Sequence, residues 1–461
     1  MCALPAAHTR WMPPAVLAAA SLVYLIIQAP ACSLPYFWDE LGVYAPAILY
    51  LVDHKISLLP AAMPVELSRG HPLLYHALMA AGARLVGAGP VSLHGLALGI
   101  TLSGAWILFL TLRRQAGVWG AAAAALCWLC LPNVFIAANL LLPEIPLALC
   151  CYVALWAWGE SRMVSYLIAC AAALLIKETA LVVPLAALGW SLWQRDSLPK
   201  LALALTPLLV FGGFLLVQKL QLGWWLNPYH TSAISLKPAT LQRKFGRLTD
   251  YLMVYQGRMA LVGAMLVTGI VAYIRGPRRM LAPWLKLGGI FTVLIAGFTV
   301  LNFYMDRYLL ILMPVYCVWA GLSVQYWIAQ RPAGRWVAVL GGMVIVIAGW
   351  YPQQQPVFRY DQALSYRSYV EVQQDAARFL DSLVPAGEAF FVNFPLYNSF
   401  EDPRYGYARH RPEATVRWSD TLRYAAVIEP PPTAPDSIPD SAVIRVFSQG
   451  NTRVQIYKLR P

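Results

Sequence analysis

Charge is scarce in this chain. Asp, Glu, Lys and Arg together make up 12% of 461 residues, about half of the ~25% usual for a soluble domain. That excludes an ordinary water-soluble protein and a charged, disordered one. Cysteine patterns of diagnostic spacing are also missing. None of the eight cysteines follows Cys317, and most lie in apolar runs. Cys127-x-x-Cys130 sits in an Ala-rich run with no histidine or second pair beside it. Small packing residues are therefore a better reading than zinc or redox chemistry. The cysteine-free stretch after Tyr351 is not held by disulfides. No glycine-rich phosphate loop occurs, so nothing points to a bound nucleotide.

Apolar sequence is abundant instead, at 59%. Segments such as Pro13–Gln28, Val91–Leu112, Val118–Leu141, Leu201–Val217, Trp284–Leu301 and Tyr308–Ile328 approach the ~20 residues that cross a bilayer. A polytopic membrane protein follows. The formal charge of +13 is no sign of nucleic-acid binding. From Tyr351 to Pro461 twelve Lys/Arg balance twelve Asp/Glu, so the surplus lies in the apolar part. Short loops on the cytoplasmic side collect Lys and Arg. Ala29-Pro30-Ala31 resembles a signal cleavage site, but the carboxylates after it read better as a loop behind an uncleaved first span.

One segment decides the topology. If Pro72–Gly87 crosses the membrane, Arg113-Arg114, Arg162, Arg195 and the cluster Arg275, Arg278 and Arg279 all move outside. If it lies on the surface, all of them face the cytoplasm together with Arg10 and Arg331. The charge rule and the polar residues His71, His76 and Arg84 favour a surface helix. The expectation is about eleven spans, with the N-terminus inside and the C-terminus outside. Lys177-Glu178-Thr179 interrupts the apolar run Tyr166–Trp193. A hairpin of two short helices turning at Lys177 keeps that pair out of lipid.

This arrangement gathers the unusual polar groups on the outer side. Asp39 and Glu40 follow the first span, and Glu66, Arg69 and His71 share their loop. Glu144 opens a later span, Lys177 and Glu178 form a hairpin tip, and Asp306-Arg307 precedes another span. Tyr229, His230, Lys237, Arg243, Lys244 and Arg247 fall in the loop Gly223–Arg258. Charge at a membrane is costly and usually functional. Plainer readings exist for each. Asp39-Glu40 could cap a helix starting at Leu41. Glu144 could cap its span, Lys177-Glu178 could pair locally, Asp306-Arg307 could anchor a helix end, and Trp224-Trp225 suits an aromatic belt. Convergence on one side favours a shared cavity over separate caps.

The tail changes character. Tyr369–Leu383 has helical periodicity. Ala389–Val392, Tyr424–Ile428, Ala442–Phe447 and Val454–Lys458 read as strands, with a hairpin at Gln449-Gly450-Asn451. Pro430-Pro431-Pro432 marks a loop. The expected division is a transmembrane domain over 1–350 and a small α/β domain over 351–461 on the outer, periplasmic or extracellular face.

The pieces Phe37-Trp38-Asp39-Glu40, Gly70-His71-Pro72-Leu73-Leu74-Tyr75, Leu142-Pro143-Glu144-Ile145-Pro146, Lys177-Glu178-Thr179 and Asp306-Arg307-Tyr308 occur in that order. In order and sidedness the chain resembles the GT-C class of polyprenyl-phosphate-sugar-dependent glycosyltransferases. The resemblance is to the branch of protein O-mannosyltransferases and lipid A aminoarabinose transferases, and it covers most of Pro13–Ile328. It implies a GT-C membrane fold with interfacial helices in the first outer loop, set in a bacterial inner membrane. It implies a sugar donor on undecaprenyl or another polyprenyl phosphate, and an acidic residue of the first loop in the transfer chemistry. Asp39 matches that position.

The chemistry agrees. A carboxylate can take the proton of an attacking hydroxyl, and a phosphate leaving group needs cations. Asp39, Glu40 and Glu144 are the catalytic candidates. Lys177, Arg307 and His71 are candidates for the donor phosphate. Tyr75, Glu178, Tyr229, Asp306 and Tyr308 are expected around the substrate. His230 and Glu66 are candidates for a divalent metal, and no organic cofactor is expected. The sequence departs from the aminoarabinose enzymes at Gly70-His71, where they carry an acid–lysine pair. That weakens any transfer of their metal site or acceptor. The acceptor remains open among lipid, polysaccharide and protein, with no nucleic-acid partner. A transporter or flippase of a lipid-linked saccharide is the alternative. It would place polar residues through the depth of the spans.

Overall fold

A computed structural model describes residues 8–228, 234–254, 258–275, 278–302, 305–330, 332–351, 362–385, 387–410, 412–419, 422–429 and 443–459. Its first part is a helical bundle. The helices in chain order are α1 (His8–Gln28), α2 (Ala45–Asp53), α3 (Val65–Ser68), α4 (Leu74–Val86), α5 (Pro90–Leu112), α6 (Gly117–Cys130) and α7 (Pro132–Ala137). They continue with α8 (Glu144–Gly159), α9 (Met163–Ile176), α10 (Val182–Gln194), α11 (Leu198–Leu205) and α12 (Leu208–Leu222). Helices Pro238–Thr249, Arg258–Arg275, Arg278–Leu301, Met313–Gln330 and Pro332–Trp350 follow. Among the described residues, five stretches are long and apolar enough to cross a bilayer: Met12–Ser33, Pro90–Leu112, Leu198–Leu222, Trp284–Leu301 and Asp306–Ala329. Shorter apolar helices such as α6, α8 and α9 pack among them.

Local sequence sets the helix ends. Proline occupies the first turn of α5 and α11, where no amide hydrogen is needed. Gly223 ends α12 at φ +82°, the left-handed conformation that stops helices. Glu144 lies in the first turn of α8, where the helix dipole favours a carboxylate.

The segment 72–89 does not cross the bundle. Helix α4 has 13 residues, about 20 Å at 1.5 Å per residue, against a hydrocarbon core of ~30 Å. Both of its ends also touch the same stretch of chain. Tyr75 and His76 pack on Tyr44, while Ala88 O accepts a hydrogen bond from Tyr36 Oη at 3.2 Å. Arg84 has a structural task, donating to the carbonyls of Leu51, Val52 and His54 at the end of α2. Helix α5 therefore runs from the Asp39 end of the bundle to the opposite end. There Gln115 bonds Glu160 and Trp284, and Arg113-Arg114 sits beside this group in sequence. The break expected at Lys177 is present, with α9 and α10 separated by a 3₁₀ turn over Glu178–Leu181.

The C-terminal part is an α/β domain. Its helix Tyr366–Leu383 starts three residues earlier than the periodicity suggests. The strands are β1 (Ala389–Val392), β2 (Glu413–Thr415), β3 (Tyr424–Glu429), β4 (Val443–Gln449) and β5 (Thr452–Lys458), in sheet order β2-β1-β3-β5-β4. Strands β1 and β2 and strands β1 and β3 pair parallel, and β5 pairs antiparallel with β3 and β4. The β4–β5 hairpin turns at Gly450 as expected. Strand β2 was not expected: three residues offer no alternation to read. The proline loop at Pro430 lies outside the described residues.

Candidate active site

The site is built at helix ends. After α1 the chain turns through Trp38, whose φ is +50°. A left-handed backbone is rare for a bulky residue and needs support from its surroundings. Asp39 follows, then a π-helical turn over Glu40–Tyr44 that runs into α2. Such turns recur at functional sites.

The turn sends the two adjacent carboxylates in different directions. Asp39 Oδ2 accepts a hydrogen bond from Arg307 Nη2. Arg307 Nε lies 3.5 Å from Glu144 Oε1, and Lys177 Nζ donates to that same oxygen at 3.1 Å. Lys177 also lies 3.7 Å from the centre of the Tyr308 ring, a cation–π arrangement. Four distant sequence positions thus form one alternating chain: Asp39, Arg307, Glu144, Lys177. Glu144, Arg307 and Lys177 are 1%, 4% and 5% exposed, whereas the Asp39 side chain is 25% exposed. Buried charge is tolerable only when paired, and here two carboxylates balance two cations. Burial works against the Lys177 charge, but Tyr308 and Glu144 outweigh it and hold the ammonium above its ordinary value. Glu144 Oε2 is buried and makes no hydrogen bond among the described residues.

Glu40 is buried in a different network. It accepts from the Phe37 amide at 3.0 Å, from the Leu141 amide, and from His94 Nε2 at 3.1 Å. It is neither a surface charge nor a member of the Asp39–Arg307 chain. Its bonds tie the first loop to the turn that precedes Glu144.

His71 and Glu178 form a second pair beside the first. His71 Nδ1 lies 2.9 Å from Glu178 Oε2 and joins the first loop to the hairpin tip. Burial would raise the Glu178 carboxyl, but His71 and then Lys177 overcome it and push the value down to about 2. The neighbouring Gly70 has φ +76°, and a Cβ there would meet Trp224 at 2.8 Å and Asn227 at 2.9 Å. Only glycine lets the first loop approach the Trp224 loop so closely.

Asp306 is partly exposed and pairs with Arg247 at 3.4 Å, which ties the amphipathic helix Pro238–Thr249 to the site. Tyr75 packs edge-on against Tyr44, and its buried hydroxyl makes no hydrogen bond among the described residues. Glu66 is exposed on α3. Tyr229 and His230 lie outside the described residues. Among the described residues no three His, Cys, Asp or Glu side chains gather as a metal site.

Tyr44 belongs to the site although the sequence does not advertise it. Its phenol is pushed up by burial and then by Glu144, and it also feels Lys177, Arg307 and Tyr308. A tyrosine inside an apolar run reads as core. Only the π-helical turn brings it to the charged chain.

Comparison with known proteins agrees with this architecture. The sequence model of the dolichyl-phosphate-mannose-protein mannosyltransferase family matches residues 70–221. No curated protein matches the sequence significantly. Among solved structures, apo ArnT from Cupriavidus metallidurans superposes with a TM-score of 0.63 at 15% identity, covering 98% of each chain. The same protein bound to undecaprenyl phosphate gives 0.58 at 14% identity, covering 97% of this chain and 98% of that one. The Archaeoglobus fulgidus oligosaccharyltransferase, in complex with zinc and sulfate, gives 0.51 at 11% identity, covering 89% of this chain and 67% of its own. The fold is thus that of the GT-C membrane glycosyltransferases, as the motifs suggested.

Proposed function

We propose that the protein transfers a sugar from a polyprenyl-phosphate carrier to an acceptor hydroxyl at the outer face of a bacterial inner membrane. The observation that carries this reading is the buried chain Lys177–Glu144–Arg307, ending in the more accessible carboxylate of Asp39. Two cations lie beside one partly exposed carboxylate, the geometry a base next to a phosphate site requires. The ArnT structure that holds undecaprenyl phosphate has the same fold, which supports a lipid phosphate as the donor group.

In this reading the donor phosphate binds near Arg307 and Lys177. It competes with Asp39 for the Arg307 guanidinium, so binding of the donor releases the base. Asp39 then takes the proton of the acceptor hydroxyl as its oxygen attacks the anomeric carbon. The bond from that carbon to the phosphate oxygen breaks, and its electron pair leaves with the lipid phosphate. The cations stabilise the charge that develops there. A single displacement inverts the anomeric centre. Glu144 orients both cations, and its open Oε2 offers an acceptor to a substrate hydroxyl or water. Glu40 shapes the loop.

The reading uses no organic cofactor. Of the proposed metal ligands, His230 lies outside the described residues and Glu66 is exposed on α3; among the described residues no three His, Cys, Asp or Glu side chains gather. No step above is routed through a metal.

The test is Asp39→Asn. Loss of a general base costs about 10²–10⁴-fold, so transfer should fall by that order while donor binding persists. Full transfer by the variant in detergent or nanodiscs would remove Asp39 as the base. Loss of donor binding together with transfer would assign it a binding role and move the search for the base to Glu144.

A further inference from the structure

We propose that the C-terminal domain is a positioning element for the transfer reaction, acting through the Trp38–Asp39 turn. This rests on the reading of Asp39 as the base. The three residues before Asp39 are each gripped by the C-terminal domain. The Tyr36 amide donates to Tyr405 O at 3.2 Å, and Tyr36 O accepts from Tyr407 Oη at 2.8 Å. The Phe37 ring stacks on Tyr366 at 5.5 Å and meets Tyr369 edge-on at 5.4 Å. The Trp38 ring meets Phe394 edge-on at 5.0 Å. Tyr36, Phe37, Tyr366, Tyr369 and Tyr407 are all buried.

The other side of the turn is fixed by the membrane domain. Glu40 is held by His94 and the Leu141 amide, and it accepts in turn from the Phe37 amide. Asp39 is therefore suspended between two clamps, one from each domain. Trp38 needs such clamps, because its left-handed φ of +50° is disfavoured for a bulky side chain and persists only when the surroundings enforce it. Without the upper clamp the turn relaxes toward ordinary backbone angles, and the Asp39 carboxylate moves relative to Arg307 and the acceptor. A displacement near 1 Å costs about 10²-fold in rate.

A separate contact docks the domain itself. Arg404 bridges Asp402 and Asp53, with its two bonds to Asp53 at 2.8 and 2.7 Å. Docking and aiming are thus carried by different residues, which makes the aiming testable alone.

The experiment uses the full chain in nanodiscs. Tyr407→Phe removes one hydroxyl from the clamp. Phe394→Ala removes the ring beneath Trp38 from a half-exposed position, so it threatens folding least. The readouts are kcat, donor Kd and melting temperature, each measured with Asp39 intact and in an Asp39→Asn background. The expected result is a fall in kcat of about 10-fold or more with donor Kd and melting temperature little changed. In the Asp39→Asn background the same substitutions should change the residual rate by less than about 2-fold, because both act on one event. Unchanged kcat in both variants overturns the proposal while leaving the transferase reading intact. Equal losses in both backgrounds also overturn it, since they mark a general structural role. A wild-type chain that transfers no sugar from any polyprenyl phosphate fails at the earlier step and removes the reading on which this inference rests.

Discussion

Single charges decide what this site can do. Lys177 donates to Glu144 and sits against Tyr308, so its loss strips one cation from the proposed phosphate site. Lys177→Ala should raise the donor KM by about 10-fold or more, the scale on which a charge-assisted hydrogen bond acts. It also leaves Glu144 less well paired, so some loss of melting temperature is expected. Unaltered donor kinetics in the purified variant would take Lys177 out of the site. Glu178 supplies a pH signature. Its folded carboxyl is lowered to about 2 from an ordinary 4.5, with His71 the main charge opposing burial. A depressed carboxyl stabilises the fold above its unfolded value and loses that contribution as pH falls toward the folded one. The melting-temperature gap between wild type and Glu178→Gln should therefore be full above about pH 4.5 and shrink steadily toward pH 2. A gap that stays constant over this range would show that the pair carries no linked stability.

Elements explain what the sequence could and could not reveal. Lys177-Glu178 was legible because charge inside an apolar run has few places to go, and a turn at the bundle end is the cheapest. Loop charge singled out α4 as the segment that decides the topology, yet the role of Arg84 was not legible, since it caps α2 and no local pattern links the two helices. Asp39 and Glu40 look alike in sequence. Their separation into a more accessible carboxylate and a buried anchor follows from the π-helical turn, which no periodicity encodes. Tight helix crossings were equally hidden. Gly120 of α6 and Gly321 of the helix Met313–Gln330 face each other, and a Cβ on Gly120 would meet Gly321 O at 2.7 Å. A Cβ on Gly321 would meet Gly120 O and the Ala124 methyl as well. The obstacle is backbone, so neither helix can yield by a rotamer change. Small residues at such crossings let membrane helices approach. Gly321→Ala should cost about 1–3 kcal/mol, the usual range for overpacking, read as a lower melting temperature in detergent. Gly341→Ala, whose Cβ would meet no atom within 4 Å, is the control and should leave stability nearly unchanged.

At the scale of the whole molecule, the charged chain of the candidate site lies at one end of the bundle. Asp39, Glu144, Lys177 and Arg307 meet at that end, while Gln115, Glu160 and Trp284 meet at the other. A transporter would need polar groups along the depth of the bundle and access from both sides. Here the charged chain forms a single cluster, which favours chemistry at one face. The charge rule supplies an expected orientation. Arg113-Arg114 lies at the end opposite Asp39, and cytoplasmic loops carry the Lys/Arg excess. The expected orientation puts the site and the C-terminal domain on the outer side together, because Tyr36 and Phe37 bind that domain directly. Reporter fusions test this. A reporter active only in the cytoplasm should work after Arg114 or Arg279. A reporter active only outside should work after Asn227 and at the C-terminus. Opposite behaviour at all four positions would invert the molecule and put the proposed chemistry on the cytoplasmic face. A reversal at Arg114 alone would contradict the surface placement of α4. The two failures are distinct, because the first leaves the packing of α4 on α2 intact and the second requires it to be broken.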